Sequence, residues 1–146
     1  MAAPLHHQRG FTLFELLLVI VLIGVATPLL AIGISRGLHS AQERTALANM
    51  VSALRSARMQ AIGSGQPVRA GFDLQRREVH SAGHAPARWP EDFSVRLHTA
   101  EGLGAAFEFY PDGAASGGNI QIARGERHWR IDVGWLTGRV TLKSLP

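Results

Sequence analysis

"RGFTLFELLLVIVLIG", Arg9 to Gly24, is the stretch whose reading decides the fold. It opens on a charge and then runs through apolar side chains, with Glu15 the only ionisable residue from Phe11 to Ile34. At 1.5 Å per residue a helix of that length covers roughly 36 Å, enough for a hydrocarbon core of about 30 Å. The segment is therefore predicted to span a membrane. A secretory signal peptide would carry a shorter apolar region ending in a small-residue cleavage site, which Ala31 and Gly33 imitate. Glu15 argues against it. An acidic residue at a helix centre costs about 2.5 to 3.5 kcal/mol on insertion scales, so the carboxylate needs a partner. Arg36, the next basic side chain, lies too far along the helix to reach back. Cutting the chain after Gly10 would supply one, because the new α-amine of Phe11 would lie a helical turn from Glu15 and within reach of a staggered neighbour's Glu15.

Composition bounds the rest. A chain of 146 residues holds one domain plus an anchor. The net charge of +4 is carried almost wholly by arginine, since Lys143 is the only lysine, and the charges are spread as on a solvated surface. Cysteine is absent, which excludes disulfides, thiolate metal sites, a catalytic thiol and a lipidated cysteine.

Gly10-Phe11-Thr12-Leu13, Glu15, the long apolar run and Gly24 together resemble the class III signal of type IV pilins and type II secretion pseudopilins. The resemblance implies a leader peptide of residues 1–10, cut between Gly10 and Phe11 by a prepilin peptidase that also N-methylates Phe11. It implies a transmembrane and assembly helix over residues 11–34, in which Glu15 registers the subunit against its neighbour. Arg9 and the amino terminus favour the cytoplasmic side, leaving the C-terminal part in the periplasm of a single-pass inner-membrane protein. Pro28 removes a backbone donor and is expected to kink or loosen this helix, a defect neighbouring helices can reseal. Gly24 and Ala26 allow close helix approach.

Beyond Ile34, Leu47, Val51, Leu54 and Ala61 recur at helical spacing, with Arg44, Arg55 and Gln60 on other faces. Residues 35–65 are read as an amphipathic continuation, ended by Gly63-Ser64-Gly65 and closed off by Gln66-Pro67. Residues 66–146 are read as a β domain. Val68 to Leu74 and Glu78 to Ser81 form a hairpin around Gln75-Arg76-Arg77, followed by an irregular stretch through Pro86, Trp89 and Pro90. Phe93, Val95 and Leu97 alternate with polar residues, as do Phe107 and Phe109, Ile120 and Ile122, Trp129, Ile131 and Val133, and Val140 and Leu142. These are half-buried strands of an antiparallel meander. Pro111-Asp112-Gly113 and Arg124-Gly125-Glu126-Arg127 are turns. The expected class is α+β, type IV pilin-like: a long N-terminal helix, then an antiparallel sheet or sandwich.

"FEFYPDGAASGGNIQIA" (107–123) and "WRIDVGWLTGRVTL" (129–142) resemble the C-terminal signature of the minor pseudopilin H of type II secretion, a family shared with the fimbrial T minor pilins. Pro111, Asp112, Gly113, Gly117, Gly118, Gly138 and Arg139 carry that signature. The implied function is structural: a pseudopilus subunit, near the tip, that supports export of folded proteins across the outer membrane. Its partners would be other major and minor pseudopilins, the prepilin peptidase, the inner-membrane secretion platform and the exported protein. The rival is a fimbrial T-like pilin that binds DNA for transformation through Arg124, Arg127, Arg130, Arg139 and Lys143. Fimbrial T relatives carry a Gly-Arg-x-Arg element; this chain reads Gly138-Arg139-Val140-Thr141 and lacks the second arginine.

Other chemistry is weakly marked. Gly113 to Gly118 is followed by a strand and no Lys-Ser or Lys-Thr, unlike a phosphate loop. His80 and His84 lack a third ligand, and Asp112 stands apart from other carboxylates, so neither zinc nor calcium is expected. Ser116, His128 and Asp132 form a triad only on paper, without a nucleophile elbow. No enzyme, metal or cofactor is expected.

Overall fold

A computed structural model of the chain describes residues 12–146, with the side chains of residues 27–39 excepted. The leader, its junction Gly10-Phe11 and the Pro28 side chain therefore lie outside the described residues. The chain divides into two compact units, Met1–Ser40 and Ala41–Pro146. Among the described residues one helix, α1, runs Leu13–Ser64 and continues through Pro28.

In the first unit, Thr12 caps the helix: its hydroxyl accepts from the Glu15 amide at 3.3 Å and its carbonyl from the amides of Glu15 and Leu16. Glu15 occupies the third helical position, where a carboxylate offsets the exposed amides and the positive dipole end. From Leu13 to Val25 the large apolar side chains are exposed on every face. A helix apolar all round calls for a covering of lipid or other helices. Among the described residues no helix is long and apolar enough to cross a membrane; the side chains of 27–34, the last third of the predicted span, are not among them.

In the second unit, the helix buries Ala46, Leu47, Met50, Val51, Ala53, Leu54, Ala57 and Ala61, a stripe that returns every three or four residues. Four of the eight are alanines. The helix ends where Gly65, at φ +66°, closes an αL cap by donating its amide to the Ala61 carbonyl at 3.1 Å, and Pro67 prevents continuation.

Eight strands follow: β1 Val68–Asp73, β2 Glu78–Ser81, β3 His84–Arg88, β4 Ser94–Thr99, β5 Ala106–Phe109, β6 Gly118–Arg124, β7 Arg127–Val133 and β8 Val140–Leu145. They form two antiparallel four-stranded sheets, ordered β3-β2-β1-β5 and β4-β6-β7-β8. The expected simple meander is corrected here: the chain leaves the first sheet for β4, returns for β5 and leaves again for β6. Alternation decides which side chains face inward but not which strand lies beside which. The stretch expected to be irregular contains β3. Pro86 is tolerated there because β3 is an edge strand, so a missing N–H leaves no ladder bond unmade. Phe72 packs against Trp89 and Phe107, with ring centroids 6.1 and 6.0 Å apart, and Phe93 stacks on Trp129 at 6.3 Å. Together with Ile120, Ile122, Ile131 and the helix stripe these rings make one core.

Candidate functional site

The C-terminal signature gathers at one place, where two connections meet the end of the helix. In the β5–β6 connection, Gly113 donates its amide to the Tyr110 carbonyl at 2.9 Å, and the Asp112 carboxylate accepts from the Ala114 amide at 3.0 Å. The β7–β8 connection joins it through the Ala115 amide, which donates to the Trp135 carbonyl at 2.8 Å. Arg58 of α1 reaches both: its Nε donates to the Gly113 carbonyl at 3.1 Å and lies against Gly138. Gly138 sits at φ +58°, and a Cβ there would collide with the Gly113 carbonyl and come within 2.8 Å of Arg58 Nε. Only glycine fits both the left-handed backbone and the close approach. Gly118, at φ +124°, is likewise pressed against the His98 carbonyl. Gly113 and Gly138 of the signature thus pack two loops on Arg58.

One turn before Arg58, Arg55 donates from Nη2 to the Val140 carbonyl at 3.3 Å. Arg55, Arg58, Met59, Gly138 and Arg139 line a cleft of about 430 Å³. Trp135 and Leu136, on the same loop as Gly138, are exposed. The sequence reading placed Arg55 only on an outer face of the helix, and Arg58 and Trp135 escaped it. Trp135 was not legible, since it continues the alternation of Trp129, Ile131 and Val133, and only the end of β7 at Val133 takes it out of the buried set.

The five basic residues of the DNA reading are divided among three places. Arg124 and Arg127 converge on Glu43, a buried carboxylate of α1, through Nη1 at 3.6 Å and Nη2 at 2.5 Å. Arg124 also binds Asp92 at 2.6 Å and lies over the Phe93 ring, while Arg127 lies over Trp129. Glu43 Oε2 accepts no well-formed hydrogen bond, so the attraction is Coulombic. Arg130 and Lys143 share Asp132 at 2.6 and 3.0 Å on the outward face of the second sheet. Burial works to raise the Asp132 carboxyl, but hydrogen bonds from Lys143 and Arg130, with their charge, outweigh it and hold the group below its ordinary value. Arg139 stands at the cleft. Glu43 was missed by sequence reasoning, although its place in register with Leu47, Met50 and Leu54 marks a charge on the buried face of the helix.

Of the paper triad, Ser116 accepts from the Glu108 amide at 3.1 Å and Asp132 is taken by its two cations, so the three do not act together. Among the described residues no three His, Asp or Glu side chains group to hold a metal ion.

A sequence profile of the family "Type II transport protein GspH" matches residues 46–137, and one of the prokaryotic N-terminal methylation motif matches residues 5–27. The type II secretion system protein H of Xanthomonas campestris pv. campestris is 36% identical over 146 residues, covering 95% of this chain and 86% of that protein. Two solved structures share the fold. The minor pseudopilin EpsH of the Vibrio cholerae type 2 secretion system gives a TM-score of 0.52 at 15% identity, covering 70% of this chain and 94% of that one. The type IV minor pilin FimU of Pseudomonas aeruginosa gives 0.55 at 10% identity, covering 70% and 91%.

Proposed function

The chain belongs to the GspH family, the minor pseudopilins of type II secretion, and on that premise we propose how its parts carry out that role. Membership makes it a membrane-anchored, structural subunit of the pseudopilus, which assembles with other pseudopilins. The reading beyond membership is that a peptidase cuts after Gly10 and that Phe11 becomes the N-methylated amino terminus. The anchor then crosses the inner membrane once, with the β domain in the periplasm. Glu15 serves twice: in its own chain it completes the Thr12 cap, and in the fibre it meets the amine of an adjacent subunit inside a bundle of apolar helices. The subunit works near the tip in the export of folded proteins across the outer membrane.

The observation that supports this most directly is the coexistence, in one chain, of the methylation motif at residues 5–27 and the GspH match at 46–137. Mass spectrometry of the protein from its native host should find a mature chain beginning at N-methyl-Phe11. Glu15→Leu should leave insertion intact and abolish secretion through the pathway. Normal secretion by that variant sinks the role given to Glu15.

A further inference from the structure

We propose that the cleft between α1 and the β7–β8 connection docks a carboxylate-bearing, apolar segment of another protein of the assembly. The inference rests on the subunit reading above and names the chemistry of one of its partners.

Three arginines converge there. Arg55 and Arg58 each spend one donor on a backbone carbonyl, Val140 and Gly113 respectively, which fixes their direction. Neither they nor Arg139 forms an ion pair with a carboxylate among the described residues; Arg44 and Arg96, also without one, do not line the cleft, and Arg69, Arg76, Arg77, Arg88, Arg124, Arg127 and Arg130 are all paired. Like charges held together without a counter-ion repel one another, and an incoming carboxylate relieves that while gaining forked hydrogen bonds.

The rim is apolar. Trp135 is 69% exposed and Leu136 and Met59 are comparably open, although Trp135 backs onto Gly117 through its Cβ and is held by the Ala115 amide at its carbonyl. Exposed tryptophan and arginine on one connection, facing a helix turn that bears arginine and methionine, are residue types enriched in protein interfaces. A nucleic-acid backbone would need cations in a longer row, and the other candidates for that row are committed to Glu43, Asp92 and Asp132. It would also leave Met59, Trp135 and Leu136 wet. The occupant that satisfies both halves is a protein surface presenting Asp or Glu beside aliphatic side chains.

The test places a photo-reactive benzoylphenylalanine at Leu136 of the full-length protein in its native, secreting host, and identifies adducts by mass spectrometry. The expected adduct maps to an acidic, apolar segment of another protein of the secretion machinery. Arg139→Glu should lower its yield about ten-fold or more, as expected when a charge complement is reversed. Arg58→Glu should do the same, but it also removes a loop contact. Arg139, whose side chain makes no hydrogen bond that holds the loop, therefore carries the decision. Placing Arg at the mapped carboxylate of the partner should restore the adduct with Arg139→Glu. An adduct that Arg139→Glu leaves unchanged, an adduct only to a second copy of this chain, one to nucleic acid, or none in a strain that secretes normally overturns the proposal. Glu15→Leu separates the two readings: if it blocks secretion while the cleft variants change nothing, the subunit role stands and the docking surface falls.

Discussion

Replacing Glu43 with alanine should destabilise the second unit by about 3 kcal/mol, because it removes the buried carboxylate that Arg124 and Arg127 share. The carboxylate side chain is 6% exposed and faces Arg127 at 2.5 Å and Arg124 at 3.6 Å. At an effective dielectric of about 20, each contact is worth on the order of 5 kcal/mol before solvent is counted. Withdrawal of Glu43 and Arg124 from water offsets much of that gain, and Arg127, 56% exposed, keeps enough hydration for its share to be discounted. Arg124, 9% exposed, decides the result: without Glu43 the carboxylate it keeps is the exposed Asp92. For a unit of this size, about 3 kcal/mol corresponds to a fall in Tm of roughly 10 to 20 °C. The assay is thermal unfolding of the full chain in detergent, followed by near-ultraviolet circular dichroism of the Phe93–Trp129 stack, which Arg124 and Arg127 overlie. Glu91→Gln is the control: its pair with Arg77 is exposed, so its loss should change stability by well under about 1 kcal/mol. If Glu43→Ala and Glu91→Gln melt alike, within about 2 °C, the clasp is not what holds Arg124 and Arg127, and their assignment to structure fails.

Gly138→Ala forces a Cβ into the Gly113 carbonyl at a left-handed backbone, so a loss of about 1 to 3 kcal/mol is expected, together with a weaker photo-adduct at Leu136; Gly125→Ala, also left-handed but facing open space, should show the smaller loss. Asp132 should titrate below an ordinary aspartate, and Lys143→Gln should raise it, as read by NMR of its carboxyl carbon. The folded-state value is depressed, so its stabilisation is fully present above the unfolded value near about 3.9 and is lost as pH falls through the folded value. The stability gap between wild type and Lys143→Gln should therefore close in acid; a gap that widens there contradicts the assignment.

The N-terminal half of the helix was legible because its information is local. A continuous apolar run with one carboxylate near its start is read off the residues themselves and needs no knowledge of what lies elsewhere in the chain, whereas the Thr12 cap was seen only in the structure. The helix end at Gly65, the β1–β2 hairpin and the Gly125-Glu126 turn were legible for the same reason, since glycine, proline and alternation act within a few residues. The strand order was not. Inward-facing residues of β4, β5 and β6 read alike, and only the packing of two sheets on one alanine-rich helix face sends β5 back beside β1. The same limit applies to charge. As residues in a sequence, Arg124, Arg127, Arg130, Arg139 and Lys143 look like one basic stripe. The fold gives the first two to Glu43, 81 or more residues earlier, ties Arg130 and Lys143 to Asp132, and leaves Arg139 with Arg55 and Arg58. The availability of a side chain depends on which distant group neutralises it, and Coulomb attraction falls with separation in space, which sequence separation does not measure.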